Sequence, residues 1–242
     1  MKIAFISDVH GNLEALTSVR KSLQNKRVDK VLFLGDIVGY GANPNECIEI
    51  VRDMSDDILA GNHDWAAIGK GNADSFNTVA REAIEWTQDQ LTEDNKAFLS
   101  SQSLIGEMED FIYVHSTPFH PEDWDYIISI ADAYESFETF SQSLCFVAHS
   151  HDPIVFIKTD TRDIVPGKTS QIKIQKGFRY IINIGSVGQP RDGNPLSSYG
   201  IYDTEKKEYS LIRVQYAVTR AQEKILDAGL PPFLAERLGF GM

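Results

Sequence analysis

Cysteine is scarce in this chain. The two present, Cys47 and Cys145, stand far apart and form no CxxC pair, which excludes a disulfide framework and marks both as reduced packing residues. Positive charge is also short: 23 Lys and Arg face 35 Asp and Glu, a formal charge of -12. Such a balance repels a polyanion and leaves no general basic footprint, so no stable nucleic-acid complex is expected. Bound cations would still dominate the field around them, so a phosphorylated substrate is not excluded. Long apolar runs are missing too, and the opening MKIAFISDVHGN reaches Asp8 before a signal-type segment can form. A cytoplasmic protein with no membrane partner is the expectation. There is no internal repeat, low-complexity tract or Pro/Gly-rich linker, so residues 1–242 are expected to form a single domain.

Against these absences stands 42% hydrophobic content, ample for a buried core. Ile3 to Ile6 form a continuous apolar run, the pattern of a central strand covered on both faces. A helix is predicted from Asn12 to about Lys26, with Leu13, Leu16, Val19 and Leu23 along one stripe. A strand at Val31–Leu34, a helix from Pro44 to Asp53 and a short strand at Ile58–Ala60 complete a βαβαβ start. Asp64 to Ser101 reads as helix-rich, with Thr92 as an N-cap. Beyond it, Ile105, Phe111–Val114, Cys145–Ala148, Ile154–Ile157, Ile172–Ile174, Tyr180–Ile184, Tyr199–Tyr202 and Tyr209–Val214 read as strands, mostly joined as hairpins. Ala217–Ala228 reads as a closing helix. The fold class is therefore α/β, with two facing sheets flanked by helices. Thr117–Ser141, the least periodic stretch, is a candidate lid or rim.

Polar groups repeatedly interrupt the ends of these strands: Asp8-Val9-His10, Gly35-Asp36, Gly61-Asn62-His63-Asp64, His115 and His149-Ser150-His151. In an α/β sheet the carboxyl ends of strands converge on one crevice, so these residues can meet. Five of the six histidines belong to this set, together with Asp8, Asp36 and Asn62. Imidazole, carboxylate and amide donors without thiolates suit Mn, Fe, Ni or Zn, and Asp36 can bridge two ions. Two such ions about 3.5 to 4 Å apart can generate hydroxide at neutral pH and clamp a phosphoryl group.

The ordered series DxH, GD, GNHD, a lone strand-end His and HxH resembles the calcineurin-like metallophosphoesterases. SDVHGN and the late GSVGQPRDG resemble in particular small bacterial and archaeal phosphodiesterases. The resemblance implies a β-sandwich of two mixed sheets between helices. It further implies a first metal ion, Mn foremost, held by Asp8, His10, Asp36 and His151, and a second held by Asp36, Asn62, His115 and His149. By the same resemblance His63 contacts the substrate phosphate and protonates the leaving group, and Asp64 orients His63. Where the family writes GHTH or GHSH, this chain has Ala148, which denies the loop a glycine-only conformation.

Arg191 in GSVGQPRDG is either a turn residue or a guanidinium that grips phosphate oxygens. His120 lies outside the pattern, as a rim or surface residue. Asn12 has two readings, helix cap and site residue, of which the cap is favoured. Phe119, Trp124, Tyr126 and Phe137 either close a satellite core or stack a nucleobase. The function expected is dinuclear, metal-dependent hydrolysis of a small phosphodiester, with nucleotides among the candidate substrates. Monoester or dinucleoside-polyphosphate hydrolysis is the runner-up. A protein-binding scaffold is the rival outside enzymes, and the intact ligand set weighs against it.

Overall fold

The computed structural model describes residues 1–71 and 76–242. Its first elements follow the expected order: strand β1 (Lys2–Ile6), helix α1 (Leu13–Gln24), strand β2 (Lys30–Phe33) and helix α2 (Pro44–Met54). β1 and β2 run parallel, with Ile3 opposite Lys30 and Ile6 opposite Phe33. The strand expected at 58–60 is reduced to isolated bridges, Phe33 to Ile58 and Leu59 to Ser103, because the chain turns away at Gly61 before a ladder can extend. The helix-rich stretch resolves into α3 (Asn62–Ala67), α4 (Thr78–Gln90) and α5 (Glu93–Ser100). Its residues 72–75 lie outside the described residues. Thr92 caps α5 as expected, accepting from Asn95 N.

The second half comprises β3 (Ile105–Met108), β4 (Phe111–Val114), helix α6 (Ile130–Phe137), β5 (Leu144–Val147), β6 (Val155–Lys158), β7 (Ile164–Gly167), β8 (Gln171–Lys173), β9 (Arg179–Asn183), β10 (Ser197–Asp203), β11 (Glu208–Val214), α7 (Val218–Asp227) and α8 (Pro232–Glu236). Two mixed sheets result, ordered β2-β1-β10-β11-β8 and β3-β4-β5-β9-β6-β7. The expectation of mostly hairpin connections is corrected. Hairpins join β3–β4, β6–β7 and β10–β11, but β4, β5 and β9 pair in parallel, so the chain crosses over between them.

The apolar runs are explained by alternation across two buried faces. Ile3 and Phe5 join Phe111, Leu144, Phe146, Tyr180, Ile182 and Tyr202 in the core between the sheets. Ala4 and Ile6 turn to the helix side, where Leu16, Val19 and Ile48 cover them. Phe5 stacks on Phe146 with ring centroids 3.8 Å apart. On the outer face of the second sheet, Ile112, Cys145 and Ile181 pack under Ala133 and Phe137 of α6. Cys47 and Cys145 are free and buried, as expected of packing residues. Among the described residues no helix is long and apolar enough to cross a membrane.

This topology sends the carboxyl ends of β1, β2, β4, β5 and β9 to one edge of the sandwich. Asp8, Asp36, His115, His149 and the 185–193 loop all follow those ends.

Candidate metal centre and its cleft

Sharp turns directly after the strands carry the candidate ligands. Asp8, His10, Asp36, His149 and His151 have φ of 52°, 51°, 52°, 64° and 60°. The left-handed region costs an L-residue roughly 1–2 kcal/mol, so the surrounding structure must impose it. Main-chain bonds lock the turns together: Asp8 N to Gly35 O at 3.1 Å, His10 N to Asp36 O at 3.0 Å, and Gly188 N to Asp8 O at 2.8 Å. Gly188 is required here, since a Cβ would fall 1.8 Å from Val9 O. Asn12 caps α1 through Ala15 N and donates its amide to Gly188 O at 2.8 Å, so its bland reading holds and it also ties down this loop. Ala148 is not among the positive-φ residues; His149 and His151 take the left-handed conformations, so the missing glycine does not distort the turn.

The side chains converge in two groups that share Asp36: Asp8, His10, Asp36 and His151, and Asp36, His115 and His149. Asn62 joins the second group, its Oδ1 lying 3.3 Å from His115 Nε2. His151 Nε2 is 3.2 Å from Asp8 Oδ1, and His115 Nε2 is 3.3 Å from Asp36 Oδ2. Main-chain carbonyls orient every ring. Nδ1 of His10, His115 and His151 donates to Val38 O at 3.0 Å, Leu34 O at 2.7 Å and Gln189 O at 2.6 Å. Each Nε2 therefore faces the centre. His149 is reversed, with Nε2 donating to Trp124 O at 2.8 Å, which leaves Nδ1 as its electron-pair donor.

Both Asp8 oxygens and Asp36 Oδ2 are buried without a hydrogen-bond partner. Burial alone would raise both acids, but His151 beside Asp8 and His115 with His63 beside Asp36 hold them below the usual carboxylate range. Burial drives His10 well below the ordinary imidazole value and takes His149 down to about 3. His115 goes the other way, to about 9, because Asp36 outweighs its burial. Ionised carboxylates with orphaned oxygens, beside the neutral imidazoles of His10, His149 and His151 and a His115 that a bound cation would deprotonate, are a donor set that fits divalent cations.

His63 sits beside this cluster. Its main-chain N–H donates to Asp36 Oδ1 at 2.8 Å, and its ring packs on Tyr40 and His10 at 4.4 and 4.8 Å. Burial lowers it to about 4, against the pull of Asp36. Asp64 does not orient it, which corrects the expectation. The Asp64 carboxylate accepts from Ile37 N at 2.9 Å, Val38 N at 3.1 Å and Gly61 N at 3.0 Å, whereas His63 Nδ1 has no partner. Asp64 instead straps the turn after Asp36 to the turn before Asn62.

The centre opens into a cleft of about 700 Å³. Arg191 lines it, held by Gln189 Oε1 (3.2 Å from Nε, 2.7 Å from Nη2) and lying 5.7 Å from the Tyr40 ring centroid. The aromatics of the 117–141 rim divide. Trp124 and Tyr126 line the cleft, Tyr126 stacking on His149 at 4.0 Å, whereas Phe137 is satellite core. Phe119 packs edge-on against the exposed His120, which pairs with Glu122 on the surface. The sequence reading missed Tyr40, Phe233 and Arg237 among the lining residues. Tyr40 was findable, four residues beyond Asp36; nothing local marks Phe233 or Arg237.

A sequence model of the calcineurin-like phosphoesterase superfamily domain matches residues 1–207. The chain belongs to this superfamily. As a calcineurin-like phosphoesterase it is a metal-dependent phosphoester hydrolase. It is similar to a metallophosphoesterase from Sphaerobacter thermophilus, at 40% identity and a TM-score of 0.89 with both chains fully covered. An uncharacterized protein of Methanocaldococcus jannaschii is 42% identical over 99% of this chain and 98% of its own. A hypothetical protein from Pyrococcus horikoshii shares the phosphoesterase fold, with a TM-score of 0.83 at 17% identity over 100% of this chain and 98% of its own.

Proposed function

We propose that this phosphoesterase acts as a single unit over residues 1–242 and hydrolyses small phosphodiesters with two divalent ions, Mn foremost. Asp8, His10, Asp36 and His151 would hold the first ion and Asp36, Asn62, His115 and His149 the second. The observation that carries this reading is the convergence of three orphaned carboxylate oxygens with inward-facing imidazole nitrogens around the shared Asp36. When bound, such ions polarise phosphoryl oxygens and lower the pKa of water to near neutrality.

The chain's own residues supply the rest. Arg191, with its guanidinium plane held by Gln189, offers paired N–H donors to the phosphoryl oxygens. His63 is neutral at pH 7 in the ligand-free site; with the substrate's negative charge beside it, it would take up a proton from solvent and pass that proton to the leaving oxygen. The cleft size suits a nucleotide-sized molecule. The net charge of -12 disfavours a long polyanion. The two free, buried cysteines accord with a cytoplasmic setting.

The test is Mn-reconstituted protein assayed against bis(p-nitrophenyl) phosphate, p-nitrophenyl phosphate, a cyclic nucleotide and a dinucleoside polyphosphate. Highest kcat/KM on a diester is expected. Faster turnover of the monoester would overturn the diester reading, and faster turnover of the dinucleoside polyphosphate would move the activity to pyrophosphate links.

A further inference from the structure

Beside the candidate metal centre the cleft carries a second cation that the sequence motifs do not mark. Arg237 follows α8, beyond the residues that the superfamily model matches, and lines the same cleft as Arg191 and Tyr40. Its segment is docked onto the Arg191 loop: Gly193 N donates to Gly241 O at 2.9 Å, and a Cβ on Gly241 would fall 2.5 Å from Asn194. Gln222 Nε2 donates to Ala235 O at 2.9 Å and fastens α8 to α7. The two arginines are thus presented by a braced pair of segments.

Neither guanidinium has a carboxylate side chain as counter-ion among the described residues. Arg191 donates Nε and Nη2 to Gln189 Oε1 and Nη2 to the Tyr40 hydroxyl, which leaves its Nη1 donors free among the described residues, and Arg237 donates Nε to the main-chain oxygen of Met242. Asp192, the acid next to Arg191 in sequence, pairs with Arg213, and Glu236, next to Arg237, is exposed. Three acids line the cleft, Asp36 in the candidate metal centre and Glu122 and Asp123 in the 121–123 turn, and none of them pairs with either arginine. Burial, with Arg191 adding to it, pushes Arg237 down to about 10. In a chain with twelve surplus negative charges, two guanidiniums in one cleft with no carboxylate side chain against either are a concentrated exception. An anion relieves their mutual repulsion and takes up their free N–H donors.

We propose that Arg237, with Arg191, binds a second phosphoryl group of the substrate, so that the preferred substrate is a phosphoester carrying a further phosphate beside the scissile one. This rests on the phosphodiester reading above and narrows its substrate class. Tyr40, 8% exposed and within 3.4 Å of Arg191 Nη2, forms the wall that holds the Arg191 guanidinium in place.

The experiment is titration calorimetry of metal-loaded protein with AMP and with adenosine 5′-(α,β-methylene)diphosphate, which keeps the second phosphoryl group and resists cleavage. Wild type should bind the diphosphate analogue at least about tenfold more tightly than AMP, the scale of one charge-assisted contact. Arg237→Gln should bring the two affinities together, and Arg237→Lys, which keeps charge and stem, should retain part of the preference. Unchanged preference in Arg237→Gln, or equal affinities in wild type, overturns the proposal. A protein that shows the preference but hydrolyses no diester would support the second phosphate site and overturn the diester reading alone.

Discussion

His10 Nε2 and His151 Nε2 lie 3.1 Å apart, and the Nδ1 of each ring is already committed to a main-chain carbonyl. Burial keeps both rings below the ordinary imidazole value, so both are neutral at pH 7 and two lone pairs face each other. The pair is unfavourable alone and favourable around a cation. Asp8, buried with no donor to either oxygen, has the same need.

Metal removal should therefore destabilise the fold. At a free concentration a hundredfold above Kd, each ion adds about 2.7 kcal/mol, so two should raise Tm on the order of 10 °C. Calorimetry of EDTA-treated and Mn-reconstituted protein, with elemental analysis, measures this. Two ions per chain are expected, and Asp36→Ala should lose both; loss of only one would refute the sharing of Asp36.

Without metal, stability should rise with pH between about 4 and 6.5. His63 at about 4, His149 at about 3, and His10 and His151 below their usual value all bind fewer protons folded than unfolded in that window. Their contribution is present above the unfolded value and lost as pH falls. Asp64, raised to about 7, works in the opposite sense, as one group against four. His115, raised to about 9, contributes below pH 6.5 and loses that contribution as pH rises through 9. Urea midpoints of EDTA-treated protein from pH 4 to 9 should show a maximum near pH 6.5 to 7, and a monotonic curve would contradict the assignment.

Asp64→Ala should cost stability rather than chemistry alone. It strands the N–H groups of Ile37, Val38 and Gly61, each orphaned buried donor costing about 1–3 kcal/mol before relaxation. Because the freed turn carries Asp36, metal content should fall with it. Asp64→Asn keeps one acceptor oxygen and should lose less in a denaturant titration. Equal stability of the alanine variant and wild type would exclude the strap.

His63→Asn should keep both ions and lower kcat by about 10² to 10⁴, the range for a positioned proton donor. The loss should shrink with better leaving groups. An equal loss across leaving groups would assign His63 to phosphate binding.

How much of this was legible depended on whether a residue's partner leaves a local signature. The converging set of candidate ligands was readable because apolar strands end in DxH, GD, GNHD and HxH, and strand ends converge. Asp64 was misread because its partners are main-chain N–H groups, which no sequence pattern displays. Helix α6 had a readable sign, the Ser129 and Asp132 capping box, lost among aromatics and acids. Strand β7 had none: half-exposed Val165 and Pro166 occupy a sheet edge, where pairing on one side tolerates proline. Arg237 reaches the cleft only because the last turn docks on the 193–194 loop.

Arg191 offers the sharpest separation between charge and shape. Gln189 Oε1 accepts from both Nε and Nη2, which fixes the guanidinium plane, and the Tyr40 ring lies against it. A lysine at 191 would keep the positive charge but could neither satisfy Gln189 in this way nor present two parallel donors to phosphate. Arg191→Lys should therefore lose nearly as much as Arg191→Ala. On one diester, kcat/KM should fall roughly 10- to 100-fold, about 1.4 to 2.7 kcal/mol of transition-state binding, with metal content unchanged. A lysine variant close to wild type would show that a point charge suffices. Wild-type values for both variants would return Arg191 to the role of a turn residue.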